Sequence, residues 1–166
     1  RGKRIGALNS RKYENTKTRR NCILDFVLWR FRAFVGSFLL LGDAMRLGII
    51  SDTHGLLRPE VFEVFREVDH ILHAGDIGPL DILTELEAIA PVTAVYGNTD
   101  GWDVKHRLPQ VAELELEGIR IVVTHGNQFG SPTPEALNAA FPDADVLVFG
   151  HTHRPLLATV DVTVTA

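Results

Sequence analysis

The chain has 166 residues, of which 45% are hydrophobic and 23% charged, and its formal net charge is −4. This composition is that of an ordinary globular domain, and the length allows one domain with a substantial core. A single cysteine, Cys22, excludes an intramolecular disulfide framework and a metal site made of cysteines alone. The scarcity of cysteine fits a reducing compartment, so we expect a cytoplasmic protein.

Charge divides the chain near residue 44. Residues 1–44 carry ten Lys or Arg against three acidic residues, and residues 45–166 carry seven against eighteen, so the formal charges are +7 and −11. The only methionine, Met45, directly precedes a run typical of the first strand of an α/β domain. We therefore expect residues 1–44 to be a basic and apolar N-terminal extension outside the native protein, and residues 45–166 to form the domain.

A second interpretation takes residues 22–42 as a targeting or membrane-surface element, because a basic segment followed by an apolar one is typical of signal peptides. Asp25, Arg30 and Arg32 interrupt the apolar run. Its longest uncharged piece, 33–42, is too short to cross a hydrocarbon core about 30 Å thick. The sequence therefore predicts no membrane span and leaves open an Arg-rich amphipathic surface helix.

Residues 45–97 alternate between buried strands and amphipathic helices. The apolar run 46–51 predicts the first strand, and a proline in an allowed first-turn position opens a helix over 59–68. Three further elements follow, namely a strand at 70–75, a helix at 80–89 and a strand at 92–97.

The second half of the domain adds a hairpin to this pattern. Strict alternation of apolar and polar residues around a glycine predicts a β-hairpin over 111–126. A helix with a threonine N-cap is predicted at 133–141, then a buried strand at 145–150, and residues 158–166 alternate like an edge strand. Together these elements predict a layered α/β fold whose largely parallel strands are covered on both faces.

Each of five predicted strands ends in polar side chains that can bind a metal. Because ligands gather beyond the carboxyl ends of parallel strands, we expect these groups to converge in one cleft. The seven side chains are Asp52, His54, Asp76, Asn98, His125, His151 and His153. Carboxylate, imidazole and amide oxygen suit Mn²⁺, Fe or Zn²⁺. Seven ligands are too many for one ion, so the set predicts two ions that share a carboxylate and keep positions open for water and substrate.

The segment VLVFGHTHRP places two histidines at alternate positions after a buried strand. In an extended segment alternate side chains point the same way, so we expect His151 and His153 to face the cleft and Thr152 to face away. Three glycines stand directly before predicted ligands, where a missing Cβ permits tight corners and close backbone approach. They are Gly75, Gly97 and Gly150.

Each of these residues also has an ordinary structural interpretation. An aspartate after a strand is commonly an N-cap or a turn residue, and Asn98 in GNTD also fits a turn. His70 and His106 are interpreted as ordinary polar residues. His73, on the strand before Asp76, fits either a role in supporting the ligands or simple strand packing. The whole set, rather than any one member, carries the prediction.

In chain order, the motifs D-x-H, G-D, G-N, H-G and G-H-x-H resemble those of the calcineurin-like metallophosphoesterase superfamily. They read Asp52-Thr53-His54, Gly75-Asp76, Gly97-Asn98, His125-Gly126 and Gly150-His151-Thr152-His153. Their close spacing is similar to that of the compact bacterial and archaeal phosphodiesterase branch, and they lie between residue 45 and about residue 155. The resemblance implies a four-layer α/β/β/α sandwich with a two-metal site at one end.

The resemblance also assigns roles to the ligands. It implies a first ion held by Asp52, His54, Asp76 and His153, and a second held by Asp76 as the bridge with Asn98, His125 and His151. It implies manganese as the activating ion, with iron, zinc or nickel as alternatives. The implied catalytic set is Asp52, Asp76, Asn98 and His125.

The implied activity is hydrolysis of phosphate esters, most of all phosphodiesters, by a hydroxide that bridges the two ions. Two cations lower the pKa of a shared water from about 15.7 towards ~7, so hydroxide forms at neutral pH and can attack phosphorus in line. The ions must also overcome the acidic charge of residues 45–166. We expect a small phosphate-ester substrate and no long nucleic acid, because residues 45–166 contain no basic, aromatic-rich stretch.

Two features depart from the family pattern. Many members have, after the G-N asparagine, a histidine thought to help protonate the leaving group, whereas this chain has Thr99, as smaller residues occupy that place in the compact branch. A threonine cannot act as an acid near pH 7, and Asp100 needs a raised pKa to do so, so we expect a preference for good leaving groups. Family members also continue through further strands after G-H-x-H, so we expect a truncated C-terminus.

Two alternatives stay open at this point. One is a non-catalytic protein-interaction scaffold on the same fold, as in the retromer scaffold subunit. The other is a phosphomonoesterase or protein phosphatase. The intact set of seven ligands favours an enzyme. Nothing in the sequence indicates an oligomeric state.

Overall fold

The computed structural model describes residues 18–25, 37–41, 45–154 and 156–163. The strands in these residues are β1 (Thr18–Asp25), β2 (Ser37–Leu41), β3 (Met45–Ile50), β4 (His70–His73), β5 (Val92–Ala94), β6 (Val111–Leu116), β7 (Ile119–Thr124), β8 (Val146–Phe149) and β9 (Leu156–Thr163). The α-helices there are α1 (Pro59–Val64), α2 (Asp81–Glu87), α3 (Trp102–Arg107) and α4 (Pro134–Ala140), and a 3-10 turn covers Asn127–Phe129.

The strands form two sheets, one in the order β6-β7-β8-β1-β9 and the other in the order β2-β3-β4-β5. Strands β3, β4 and β5 run parallel, and so do β7, β8 and β1. Strands β2, β6 and β9 run antiparallel to their neighbours. Helices α1 and α2 connect the parallel strands β3, β4 and β5 in turn, as the alternating sequence pattern predicts.

Apolar side chains pack in three successive layers. Phe65 belongs to the cluster between the four-stranded sheet and helices α1, α2 and α3. Leu72 and Val123 belong to the cluster between the two sheets. Leu137 and Phe149 belong to the cluster that joins the five-stranded sheet to α4. This helix–sheet–sheet–helix order confirms the four-layer sandwich.

Local signals in the sequence account for several element boundaries. Pro59 occupies the first turn of α1. The Oγ1 atom of Thr133 accepts the Ala136 N–H at 3.3 Å and caps α4 as predicted. Glu117 and Gly118 have φ values of 51° and 74°, the left-handed pair that a two-residue hairpin turn requires. Strand β9 lies at the edge of its sheet, where its alternating pattern predicts it.

Helix α3 is the helix that the sequence pattern does not predict. Its six residues bury one apolar side chain, Val104, so no repeating apolar face stands out in the sequence. The helix nevertheless follows Asn98 by only a few residues, and it therefore lies next to a predicted ligand.

The N-terminal segment contributes a strand to each sheet, since β1 lies between β8 and β9 and β2 pairs with β3. The amphipathic-helix interpretation does not hold for 18–25 and 37–41, which are strands, and for 26–36 it lies outside the described residues. That the native protein starts at Met45 stays a prediction. Among the residues that the structure describes, none of the helices has the length and hydropathy needed to cross a bilayer.

Candidate metal centre

All seven predicted ligands stand on loops that follow strands. Asp52 and His54 follow β3, Asp76 follows β4, Asn98 follows β5, His125 follows β7, and His151 and His153 follow β8. The structure brings five of them into two groups of three, each with ligand atoms within 4.8 Å of one another. The groups are Asp52 with His54 and His153, and Asp52 with Asp76 and His125. Their role as metal ligands stays a prediction.

The surroundings of His125 give the first indication of a cation. The ring of this histidine is fully buried. Its Nδ1 atom donates to the carbonyl oxygen of Ala74 at 2.8 Å. In the neutral ring, Nε2 therefore carries a lone pair, and it lies 3.4 Å from Oδ2 of Asp76 and 3.1 Å from Oδ1 of Asn98. Three acceptors that face one another repel unless a proton or a cation lies among them. This is the arrangement of a metal-binding histidine whose tautomer is fixed by a backbone carbonyl.

The carboxylate of Asp52 gives the second indication of a cation. Its Oδ1 atom is buried and accepts no hydrogen bond, and Nε2 of His153 lies 3.3 Å away. Its Oδ2 atom accepts hydrogen bonds from the Ser51 hydroxyl and, at 3.3 Å, from the backbone N–H of His151. Because buried polar atoms are normally partnered, an orphaned carboxylate oxygen beside an imidazole fits a metal ligand better than the N-cap interpretation.

Two more histidines lie at the border of the cluster. Nε2 of His54 is 4.0 Å from Oδ2 of Asp76, and its ring centroid is 5.6 Å from that of His153. The ring of His151 meets the ring of His125 edge-on, with the centroids 5.1 Å apart. His151 therefore lies beside the site without joining either group of three.

Backbone strain marks the same residues. Five predicted ligands have φ between 47° and 73°, in the left-handed region that disfavours side chains, and these are Asp52, His54, Asp76, His151 and His153. Among the described non-glycine residues, only Glu117 in the hairpin turn shares this feature. Such conformations cost on the order of 1–3 kcal/mol each and concentrate at functional sites. The strain is therefore independent support for a functional cluster.

The H-T-H segment reaches the site by a route that the sequence does not predict. Strand β8 ends at Phe149, and the positive φ values of His151 and His153 show that the segment is not extended. Instead, Oγ1 of Thr152 donates to the carbonyl of Arg154 at 3.2 Å and accepts its N–H at 3.1 Å, which closes a turn. His153 lies in the cluster and His151 lies beside it, but the extended-strand reason is wrong.

Burial and hydrogen bonds shift the pKa values of the two central aspartates in opposite directions. Burial raises the pKa of Asp52, and the Ser51 hydroxyl only partly offsets it. Burial acts in the same direction on Asp76, but the His125 ring, which faces this carboxylate with a proton on Nε2 when it is charged, and the Thr99 amide, 2.9 Å away, lower the pKa of Asp76 below its ordinary value. Asp76 thus stays ionised at neutral pH, which its predicted bridging role requires.

Asp100 supports the site in a way that the sequence did not reveal. Its buried carboxylate accepts the Gly78 N–H at 2.9 Å through Oδ1 and the Gly97 N–H at 2.8 Å through Oδ2. It therefore ties the loop that carries Asp76 to the loop that carries Asn98. Aspartates in turns commonly bind backbone amides, so the GNTD motif held a weak signal of this role.

His73 supports the loop between two predicted ligands. It is fully buried, and its Nε2 atom donates at 3.0 Å to the hydroxyl of Thr53, which in turn donates to the Ile77 carbonyl at 2.9 Å. Burial lowers the pKa of His73 to about 3, so the ring is neutral. Of the two interpretations left open by the sequence, the contacts favour the supporting role.

The glycines before the ligands are required by close approach. A Cβ atom at Gly75 would lie 2.7 Å from Nδ1 of His125, and one at Gly150 would lie 2.8 Å from Oδ2 of Asp52. Both distances are shorter than any real Cβ contact. The structure therefore confirms that these corners need a residue without a side chain.

The chain is similar to several known proteins. Residues 45–165 match the profile of the calcineurin-like phosphoesterase superfamily domain. The chain is 41% identical over 127 residues to a probable metallophosphoesterase of Methanothermobacter thermautotrophicus. The aligned segment covers 70% of this chain and 72% of the relative. It is 31% identical over 136 residues to a phosphodiesterase of Methanocaldococcus jannaschii. That aligned segment covers 70% of this chain and 78% of the phosphodiesterase.

The fold has a solved counterpart in Vps29 of Chaetomium thermophilum. The TM-score is 0.60 at 22% identity, and the match covers 67% of this chain and 64% of that chain, slightly less than two thirds of its length. At this identity the likeness bears on the fold alone. The profile match spans all five motifs, from D-x-H to G-H-x-H. The chain therefore belongs to the calcineurin-like phosphoesterase superfamily.

Proposed function

We propose that the chain is a metal-dependent phosphodiesterase that acts on small phosphate esters. One observation carries the proposal: Nε2 of His125, Oδ2 of Asp76 and Oδ1 of Asn98 face one another at 3.1–3.4 Å from the ring nitrogen, with no donor among them in the neutral state. Together with the orphaned Oδ1 of Asp52, these acceptors form a site for cations. Family membership and the relatives named phosphodiesterases support the choice of ester.

Two ions are proposed, with Asp76 as the shared ligand. The first set is Asp52, His54, Asp76 and His153, and the second is Asp76, Asn98, His125 and His151. The bridging role is supported by Oδ2 of Asp76, which lies 4.0 Å from Nε2 of His54 in one set and 3.4 Å from Nε2 of His125 in the other. Manganese is proposed, and iron, zinc and nickel accept the same donor types.

Metal ions bound here would supply activation of water near neutral pH and neutralisation of the phosphate charge. The chain's own groups prepare that chemistry. The Ala74 carbonyl fixes the tautomer of His125, the Thr99 amide orients Asp76, and the Ser51 hydroxyl orients Asp52. Because residues 45–166 carry a formal charge of −11, an anionic substrate needs the local field of the site to approach.

Removing the metal is expected to stop hydrolysis. After chelation and dialysis, turnover of bis-p-nitrophenyl phosphate should fall about a hundredfold or more, since the ions provide several kcal/mol of transition-state stabilisation. Adding back Mn²⁺, Fe²⁺, Zn²⁺ or Ni²⁺ separately should restore it and rank the ions. Undiminished turnover in metal-free protein would contradict the proposal. Folded, metal-loaded protein that cleaves no phosphodiester or phosphomonoester would favour the scaffold alternative.

Hydrolysis is also expected to slow steeply as the leaving group becomes more basic. The Thr99 hydroxyl lies 3.5 Å from Nδ1 of His54, and both oxygens of Asp100 are engaged by backbone amides, so neither residue is placed to donate a proton. A general acid contributes about 10²–10⁴-fold, and without one the leaving group must depart unprotonated. We therefore expect kcat/KM for phenyl methyl phosphate to be lower than that for 4-nitrophenyl methyl phosphate by about 100-fold or more. Similar rates on aryl and simple alkyl phosphodiesters would count against this expectation.

A further inference from the structure

Trp102 is a large apolar side chain that the fold leaves in water. It is 70% exposed, more than any other large apolar side chain among the described residues. The next is Leu56, at 59%, which follows His54 by two residues, while Trp102 follows Asn98 by four. Of the two most exposed apolar side chains of the described residues, Leu56 thus stands on the loop after β3, and Trp102 stands at the start of the helix that follows the Asn98 loop.

Trp102 does not stand alone on its helix. Its ring stacks on that of His106, one helical turn later, with centroids 4.0 Å apart and planes inclined by 29°. The His106 side chain is also exposed, so the pair presents flat aromatic surface to solvent. An exposed indole supplies a broad π face at low entropic cost, which suits the stacking of a planar ligand.

The helix that carries this aromatic pair is joined to a loop that carries a predicted ligand. Nζ of Lys105 donates to the backbone carbonyl of Asn98 at 3.1 Å, so the side of α3 that carries Lys105 rests on the ligand loop. Trp102 is three residues before Lys105 and therefore its neighbour on that side of the helix. The Lys105 ammonium also brings a positive charge to the rim of an acidic domain, where it favours an anionic phosphate.

We propose that Trp102 and His106 form a stacking platform for a planar aromatic ring carried by the group that is esterified to the substrate phosphate. The inference rests on the proposed phosphodiesterase function and names the class of substrate, namely aryl or nucleoside esters rather than purely alkyl ones. In this arrangement the metal centre holds the phosphate, and the aromatic pair selects the group attached to it.

The test is binding of phosphonates, which are not hydrolysed and so report affinity without turnover. Mn²⁺-loaded protein is titrated in a calorimeter with methyl-, phenyl-, benzyl- and phenethylphosphonate, so that the reach of the ring varies. At least one aromatic member should bind about 3- to 10-fold more tightly than methylphosphonate, the range expected for an aromatic stack. The affinity for a nucleoside monophosphate, compared with the affinity for ribose 5-phosphate, tests in the same way whether a nucleobase is preferred.

Variants separate stacking from general apolar attraction. Trp102→Ala should abolish the preference for aromatic members and leave the affinity for methylphosphonate unchanged, which also verifies that the variant is folded. Trp102→Phe should retain most of the preference. Phe62→Ala, which removes another exposed aromatic ring from α1, should have no effect.

The outcomes distinguish a failure of this inference from a failure of the proposed phosphodiesterase function. If methylphosphonate and the aromatic members bind equally, or if the aromatic preference survives in Trp102→Ala, the platform is overturned and the phosphodiesterase proposal stands. If no phosphonate binds to the metal-loaded protein, the proposed function is overturned, and the platform with it.

Discussion

Asp76→Asn is expected to reduce metal-dependent hydrolysis of bis-p-nitrophenyl phosphate on the order of a thousandfold at neutral pH. The side chain keeps its shape, and its carbonyl oxygen keeps the Oδ1 position because that atom must accept the Thr99 N–H. The new NH₂ group then replaces Oδ2, which faces His125 at 3.4 Å and His54 at 4.0 Å. A donor would thus point where cations are proposed, and several kcal/mol of transition-state stabilisation would be lost.

Metal content and stability are measured on the same variant. Asp76→Asn should bind fewer than two Mn²⁺ per chain by elemental analysis, while its melting temperature stays close to that of the metal-free parent. Asp81→Asn makes the same chemical change at an exposed position on α2 and should keep both metal content and turnover. An Asp76→Asn protein that holds two ions and turns over at the parental rate would remove Asp76 from the catalytic set.

Much of the fold follows from periodicity in the sequence. Val61 and Phe65 recur at helical spacing and are fully buried under the four-stranded sheet, and the Glu117-Gly118 turn joins two alternating strands. Helix α3 has one buried apolar residue, so the pattern that reveals longer helices is absent. Periodicity reports burial, so a helix that buries a single apolar side chain escapes it.

That the predicted ligands would lie near one another could be predicted because strand ends converge, whatever the details of the loops. The contacts within the candidate site could not, because they depend on residues far apart in sequence. Asp100 binds the amide of Gly78, 22 positions earlier, and Nδ1 of His125 binds the Ala74 carbonyl, 51 positions earlier. The turn at His151 likewise depends on its amide bonding to Asp52, 99 positions away, and so the extended geometry inferred from alternation failed.

Gly97→Ala is expected to disable the site although it removes no functional group. An added Cβ would overlap Oδ1 of Asp76 and lie 2.5 Å from the Asp76 backbone nitrogen, well inside the approach of any real Cβ. The carboxylate can swing aside only by breaking its bond with the Thr99 amide, and the backbone nitrogen has no such freedom. We expect a loss of about 1–3 kcal/mol in the free energy of unfolding, typical of overpacking, and a fall in turnover approaching that of Asp76→Asn.

Gly101→Ala is the matched control, because the same methyl group is added four residues later. No atom lies within 4 Å of a Cβ at that position, and its φ of −72° suits any residue. The variant should lose at most about 1 kcal/mol, the cost of alanine at a helix N-cap, and should keep its metal-dependent turnover. Urea unfolding and turnover of both variants settle the comparison. Equal behaviour of the two would mean that the close packing of Gly97 on Asp76 does not position the carboxylate.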